Sequence, residues 1–312
     1  MRRTSLRRLL LTAVLASVFV APAHAWNNAG HRLVAAIAWR HLDNETQDSI
    51  GTLLRQHPDW PRWVARSRND TPASANEEAF IASSTWADEL RRDPRFRDSQ
   101  RTSAATRPFT LDDGERHSDW HYLNRPLDGE GRLGNNRLGG NLDNALEDLS
   151  KILADTTQPA QHRAQALVWL IHLCADAHQP LHTVTRLQGD IPDSGGNGLL
   201  IHDPSHPRLT QQSLHAWWDD RPGPPWLHGE KLTAQALELD LGMPPIPPRT
   251  PQEWIREAQH LARSVVYRNL TGPQPITLSP EYRDNAQRIA DRQVVAAGRR
   301  LAFWLSALLA IR

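Results

Sequence analysis

Trp169-Leu-Ile-His172-Leu-Cys-Ala-Asp176-Ala-His178-Gln-Pro-Leu-His182 is the stretch on which the reading of this chain turns. It closes a long helical segment, from about Pro159 to His182, in which Leu167, Leu170, Ile171 and Cys174 fall on one face. His172 and Asp176 are four residues apart, so on a helix they stand one above the other. At ~100° per residue this pair lies roughly 160° around from the apolar stripe. Taken alone, a polar pair opposite a core stripe reads as a solvated face. Two neighbours weigh against that: Trp169 shares the face, and His182 follows just beyond Pro180.

Outward from this stretch, helical signals dominate. His31 to Leu42 carries Leu33, Val34, Ile37 and Ala38 at one-face spacing, and Asn44 is placed to cap a second helix through Leu54. Further helices are expected over Glu77–Arg91, Asp143–Leu153, Gln211–Asp219, Pro251–Tyr267 and Pro280–Ile311. No run of alternating β-branched residues marks a strand. Asp93–Asp119 and Thr183–Leu209 are rich in Pro, Gly, Asp, Ser and Arg and read as long loops. Both end just before a candidate ligand, which favours a functional role for them. The fold class is all-α: one mostly helical domain with long loops.

The first 25 residues read as a secretory signal peptide. Arg2, Arg3, Arg7 and Arg8 form its basic start, Leu9–Val20 its apolar run, and Ala23-His24-Ala25 its cleavage site. The apolar run is too short for a bilayer of ~30 Å, so an exported protein, periplasmic or secreted and without a membrane anchor after cleavage, is expected. Cleavage would make Trp26 the N-terminus of a catalytic domain over residues 26–312. Its free amine and its own carbonyl could then close a five-membered chelate on a metal, five residues before His31. Four of the 36 basic residues and none of the 35 acidic ones lie in the signal, leaving residues 26–312 with a formal charge of −3. That balance argues against a basic nucleic-acid clamp, so a polyanion would need a local positive centre. Cys174 is the sole cysteine, which excludes an intramolecular disulfide and any thiolate-built metal site.

Ser213-Leu-His215-Ala-Trp-Trp-Asp219 repeats the His-x-x-x-Asp spacing. Thr85-Trp-Ala-Asp88 and Asp119-Trp-His121-Tyr-Leu-Asn124 each set one ligand type beside a tryptophan. Each motif alone is weak. Together they offer a terminal chelate, five histidines and three aspartates, a donor set that suits zinc in a catalytic site.

In this order and spacing the motifs resemble the single-strand-specific zinc nucleases of fungi and plants, the S-one/P-one nuclease family, over essentially the whole of residues 26–312. The resemblance implies a helical domain around three zinc ions. It implies that Asp88, His121, His172 and Asp176 hold one ion. The Trp26 amine and carbonyl, His31 and a second oxygen of Asp176 would hold its close neighbour, and His182, His215 and Asp219 the third. It further implies hydrolysis of single-stranded DNA and RNA to 5′-phosphates, and action on 3′-nucleotides. The sequence does not give the oligomeric state; a monomer is expected. A hydroxide bridging the close pair would be the nucleophile, and Arg91 would steady charge on the phosphate. Tyr122 and Asn124 occupy the places of the family's base-stacking aromatic and base-bonding aspartate, and Asn197 that of a further contact or loop-shaping residue. Asn in place of Asp leaves base preference open.

Three features depart from the fungal pattern: the loops before His121 and between His182 and His215 look longer, and the disulfides are missing. His178 reads as core or as support for a ligand, and His117, His202, His206 and His228 as loop histidines. Two rivals remain. Zinc-dependent bacterial phospholipase C is similar, but has a longer gap from its terminal Trp to the first His and a Glu in the place of Asp219. An exported, non-catalytic zinc-binding protein would be expected to carry His-rich runs, which are absent here.

Overall fold

The computed structural model describes residues 26–65, 72–98, 114–127, 138–206, 208–209 and 211–310. The expected signal peptide and most of the Asp93–Asp119 loop lie outside them. Helices account for most of the described chain: α1 Asn28–His41, α2 Asn44–Leu54, α3 Trp60–Val64, α4 Pro72–Ser83, α5 Trp86–Glu89, α6 Leu142–Ala154, α7 Ala160–His178, α8 Leu214–Asp219, α9 Gly229–Leu241, α10 Pro251–Leu261 and α11 Pro280–Leu309. Among the described residues no helix is long and apolar enough to cross a membrane.

The buried apolar side chains form one continuous core from Trp26 to Leu305. α7 runs through its middle, packed by α1, α2, α6, α10 and α11. Ala164 and every residue from Ala166 to His178 are buried. The polar face opposite the apolar stripe is therefore inside the protein as well, because neighbouring elements cover both sides of the helix.

Several expected helices are shorter, for local chemical reasons. Asp43, not Asn44, caps α2, accepting from the Thr46 amide at 2.7 Å. The helix expected over Glu77–Arg91 breaks at Ser83-Ser84-Thr85. There the three hydroxyls donate to the carbonyls of Phe80, Ile81 and Ala82 and compete with the helical ladder. α7 ends at His178 because Pro180 lacks an N–H and pushes Gln179 to extended backbone, after which Pro180–His182 forms a 3₁₀ turn. α8 begins only at Leu214, since Ser213 caps it and pairs in a strand. α10 gives way to a π-helical turn over Ala262–Val266. α3 and α9 had no clear sequence signal.

The strands are pieces of two or three residues. β1 (Arg125–Pro126) pairs with β2 (Val184–Thr185) in parallel, and β3 (Leu187–Gln188) with β4 (Ile191–Pro192) antiparallel. β5 (Leu200–His202) lies between β6 (Gln212–Ser213) and β7 (Ile276–Thr277). Together they stitch the Thr183–Leu209 segment onto the helices.

α1 and α11 make the most extensive helix pairing. Gly298 permits it: a Cβ there would lie 2.6 Å from Ile37 Cγ2 and 3.0 Å from the Val34 carbonyl oxygen. Alanine would add about 1 kcal/mol of helix propensity, but overpacking a filled contact costs about 1–3 kcal/mol and the clash is with near-backbone atoms. Gly298→Ala is therefore expected to lower the unfolding free energy in urea titration. Equal or greater stability would contradict so close an approach.

Candidate metal centre

Four elements bring histidines and aspartates to one buried place around α7. His31 comes from the first turn of α1, Asp88 from α5, and His121 from the 3₁₀ turn Ser118–His121. His172 and Asp176 come from α7 itself. The two Asp176 oxygens face different histidines. Oδ1 lies 3.5 Å from His31 Nε2, while Oδ2 lies 3.1 Å from His121 Nδ1 and 3.3 Å from His172 Nε2. Asp88 Oδ1 is 4.0 Å from His121 Nδ1. The His31 and His172 rings stack at 3.9 Å, which locks both orientations.

A second gathering lies just beyond the end of α7. His182 sits on the turn after Pro180, and α8 contributes His215 and Asp219 one helical turn apart. His215 Nε2 is 3.1 Å from His182 Nε2 and 3.4 Å from Asp219 Oδ2. His182, His215 and Asp219 are all buried.

Main-chain carbonyls fix which ring nitrogen carries the proton. His172 Nδ1 faces the Ser84 oxygen at 2.7 Å, His182 Nδ1 the His121 oxygen at 2.6 Å, and His215 Nδ1 the Gly195 oxygen at 2.7 Å. A carbonyl only accepts, so each Nδ1 donates and each Nε2 lone pair points inward. The Ser84 carbonyl is presented to His172 where the helical run breaks between α4 and α5. Gly195 is held in the left-handed region (φ +65°), where a Cβ would lie 2.4 Å from the Leu181 oxygen.

Converging lone pairs repel unless a cation or proton lies between them. His172 Nε2 and His121 Nδ1 are only 3.0 Å apart. Single protons would not complete the set. Both ring nitrogens of His31, Oδ1 of Asp176 and Oδ2 of Asp219 are buried without a hydrogen-bond partner, which is costly. Tetrahedral ligands at zinc-like bond lengths stand about 3.3–3.6 Å apart, close to most of the spacings above. Among the described residues, three groups bring their ligand atoms within 4.8 Å of one another: His31–His172–Asp176, Asp88–His121–His172 and His182–His215–Asp219. The residues fit divalent cations.

The electrostatics agree. Burial holds His31 and His121 well below the usual imidazole range, so both are in the neutral form that a metal takes, whereas His172, despite its burial, is raised by Asp176. Burial pushes the Asp176 carboxyl up to about 6, against the pull of His172. Burial also raises Asp219 well above the carboxylate range, opposed by the Gln179 amide.

The remaining expected residues fall in various places. Trp26 is fully buried, and the amide of the next residue, Asn27, donates to the Asp219 carbonyl at 3.1 Å. Arg91 is half-buried and meets Asp88 Oδ1 at 3.2 Å. Tyr122 and Asn124 are half-buried and both flank Gly139. Asn197 donates to the Ser194 oxygen at 2.8 Å, shaping its own turn. His178 belongs to the core: its Nδ1 donates to the Cys174 oxygen, and Arg300 donates to its Nε2 at 3.0 Å. Burial, then Arg300, depresses His178 to about 3. His206 and His228 are exposed, His202 is half-buried, and His117 stacks on Trp120 at 3.7 Å.

Two supporting residues had no assigned role in the sequence. Gln179 binds Asp219, and Asp203 accepts from Trp217 Nε1 at 2.8 Å while pairing with Arg283. Trp217 lies between His215 and Asp219, so Asp203 anchors the helix that carries them. An aspartate in a polar loop gives no sequence signal for this.

The raised carboxyls set the sign of a pH effect. In chelated protein, Asp176 holds its proton above its ordinary value of 3.8, so its contribution to stability is present at low pH and lost as pH rises through about 6. A bound cation compensates the carboxylate above that point, whereas below it protons compete for the same oxygens. The rise in melting temperature on saturation with zinc is therefore expected to be larger near about pH 7.5 than near about pH 5. Calorimetry with and without chelator measures it, and an equal gain at both values would contradict the assignment.

Comparison with known proteins agrees with this geometry. The S1/P1 Nuclease family model matches residues 26–310. The chain is 23% identical to Nuclease S1 of Aspergillus oryzae over 312 aligned residues, covering 90% of this chain and 91% of that protein. It is 26% identical to Endonuclease 3 of Arabidopsis thaliana over 221 residues, covering 69% of this chain and 60% of that protein. Endonuclease 1 of the same plant is 24% identical over 217 residues, 70% and 60% of the two chains. The chain thus spans about three fifths of the length of these plant relatives and nearly all of the fungal one. With a family match running from Trp26 almost to the last residue, this chain belongs to the S1/P1 nuclease family.

Proposed function

We propose that this chain is a zinc-dependent nuclease that hydrolyses single-stranded DNA and RNA to 5′-phosphate products and also removes 3′-phosphates from nucleotides. The observation that carries the proposal is the convergence of buried imidazole and carboxylate lone pairs in three groups, beside the half-buried Arg91. Zinc bound there would supply Lewis acidity toward phosphoryl oxygens and an acidified water. Asp88, His121, His172 and Asp176 would hold one ion. His31, the second Asp176 oxygen and the Trp26 amine and carbonyl would hold another, and His182, His215 and Asp219 the third.

The chain's own residues do the rest. Arg91 presents its guanidinium next to Asp88, where it can donate to a phosphate oxygen and balance charge that builds there. Tyr122 directly follows the ligand His121 and offers a ring on which an unstacked base can lie. Asn124, across Gly139 from Tyr122, can donate to or accept from a base edge. A base inside a duplex is stacked on its neighbours and must leave that stack to reach Tyr122, which accounts for preference for single strands. Asn197 keeps the turn beside Gly195, and so the carbonyl that orients His215. Export to the periplasm or beyond, with removal of residues 1–25, follows from reading the basic start, apolar run and Ala23-His24-Ala25 as a signal peptide. We take the active unit to be a monomer.

The test uses protein beginning at Trp26, with single-stranded DNA and RNA as substrates. Release of 5′-nucleotides that stops on chelation and returns with zinc is expected. Tyr122→Ala should raise KM and lower kcat/KM about 5–150-fold, the loss of roughly 1–3 kcal/mol of base stacking, with its zinc content unchanged. No release from folded, zinc-loaded protein would overturn the proposal.

A further inference from the structure

Gln179 lies between the two gatherings of ligands and is tied to both. Its backbone N–H donates to the Asp176 carbonyl at 3.0 Å, and its own carbonyl accepts from the His182 amide at 3.0 Å. Its side chain is fully buried. Oε1 accepts from the Leu181 amide at 2.6 Å, and Nε2 donates to Asp219 Oδ1 at 2.7 Å. The amide cannot be turned over, because that would set a carbonyl against a carboxylate and an NH₂ against an N–H.

The consequence falls on Asp219. With Oδ1 occupied, Oδ2 alone faces His215 Nε2 at 3.4 Å, and that oxygen is buried without a hydrogen-bond partner. We propose that Gln179 is the positioning residue of the His182–His215–Asp219 group, holding Asp219 to a single oxygen donor. The proposal rests on reading this group as a metal site. Three protein ligand atoms leave a four-coordinate ion one position for water or substrate. A carboxylate free to turn could offer both oxygens and fill it.

Two variants separate this role from simple packing. Gln179→Met keeps length and volume but loses both hydrogen bonds. Gln179→Glu keeps the acceptor for Leu181 and, in its ionised form, replaces the donor to Asp219 by an oxygen that repels it. Each variant, beginning at Trp26, is loaded with zinc and dialysed against a graded series of chelator concentrations. Bound zinc is counted, and the visible absorption of the cobalt-substituted protein is recorded. Loss of one ion in three at about 10–100-fold lower chelator strength than in the parent is expected in both variants, with the other two ions retained. The cobalt spectrum of that site should weaken as its coordination number rises.

Retention of all three ions as tightly as in the parent would overturn the proposal. So would loss in Gln179→Met alone, which would assign the effect to the Leu181 bond. Simultaneous release of all three ions would mean general loosening and would also overturn it. Failure of the underlying metal reading looks different: the parent itself would then hold fewer than three ions.

Discussion

Buried lone pairs that converge need a positive charge between them, and the rest of this structure follows from that need. A helical core can be built from Leu, Ala, Val and Trp with no difficulty. Burying five imidazoles and three carboxylates inside it is expensive unless cations compensate. The chain does so around the C-terminal half of α7, a helix buried along most of its length, and just beyond its end. Bound metal would then be part of what holds the fold together, as well as the source of its chemistry. The same cations would form a local positive focus within residues that are slightly negative overall. A phosphodiester would settle there without any basic clamp.

Where helices stop matters as much as where they run. The hydroxyls of Ser83, Ser84 and Thr85 end one helix and present the Ser84 carbonyl to His172. Pro180 ends α7 and swings His182 onto the His121 carbonyl. The left-handed Gly195 turns its carbonyl to His215. Each interruption brings a histidine and a backbone acceptor together and so selects a tautomer, and the ligand lone pairs are aimed before any ion arrives. Gln179 extends the same logic to a carboxylate.

Much of this was legible in the sequence. The i, i+4 spacings of His172 with Asp176 and of His215 with Asp219 survive directly as helix geometry, and the all-helical class follows from the periodicity around them. Legibility failed where long-range packing decides. Taken alone the polar side of α7 reads as solvated, because a helix does not reveal that a second layer covers it; only Trp169 and His182 point the other way. The helix drawn across Ser83–Thr85 continues on periodicity alone, whereas side-chain hydroxyls break it. Asp203 and the orienting carbonyls leave no trace, because a backbone oxygen has no residue type and a loop aspartate has no period. Gln179 stood inside the quoted motif, but its partner Asp219 is forty residues away.

The central claim is that cations occupy the three convergent groups. Anomalous diffraction at the zinc absorption edge, on crystals of protein beginning at Trp26, tests it most directly. The account requires three peaks: one between Asp88, His121, His172 and Asp176, one between His31 and the other oxygen of Asp176, and one between His182, His215 and Asp219. Peaks elsewhere, or hydrogen-bonded waters filling these places in zinc-replete crystals, would contradict it.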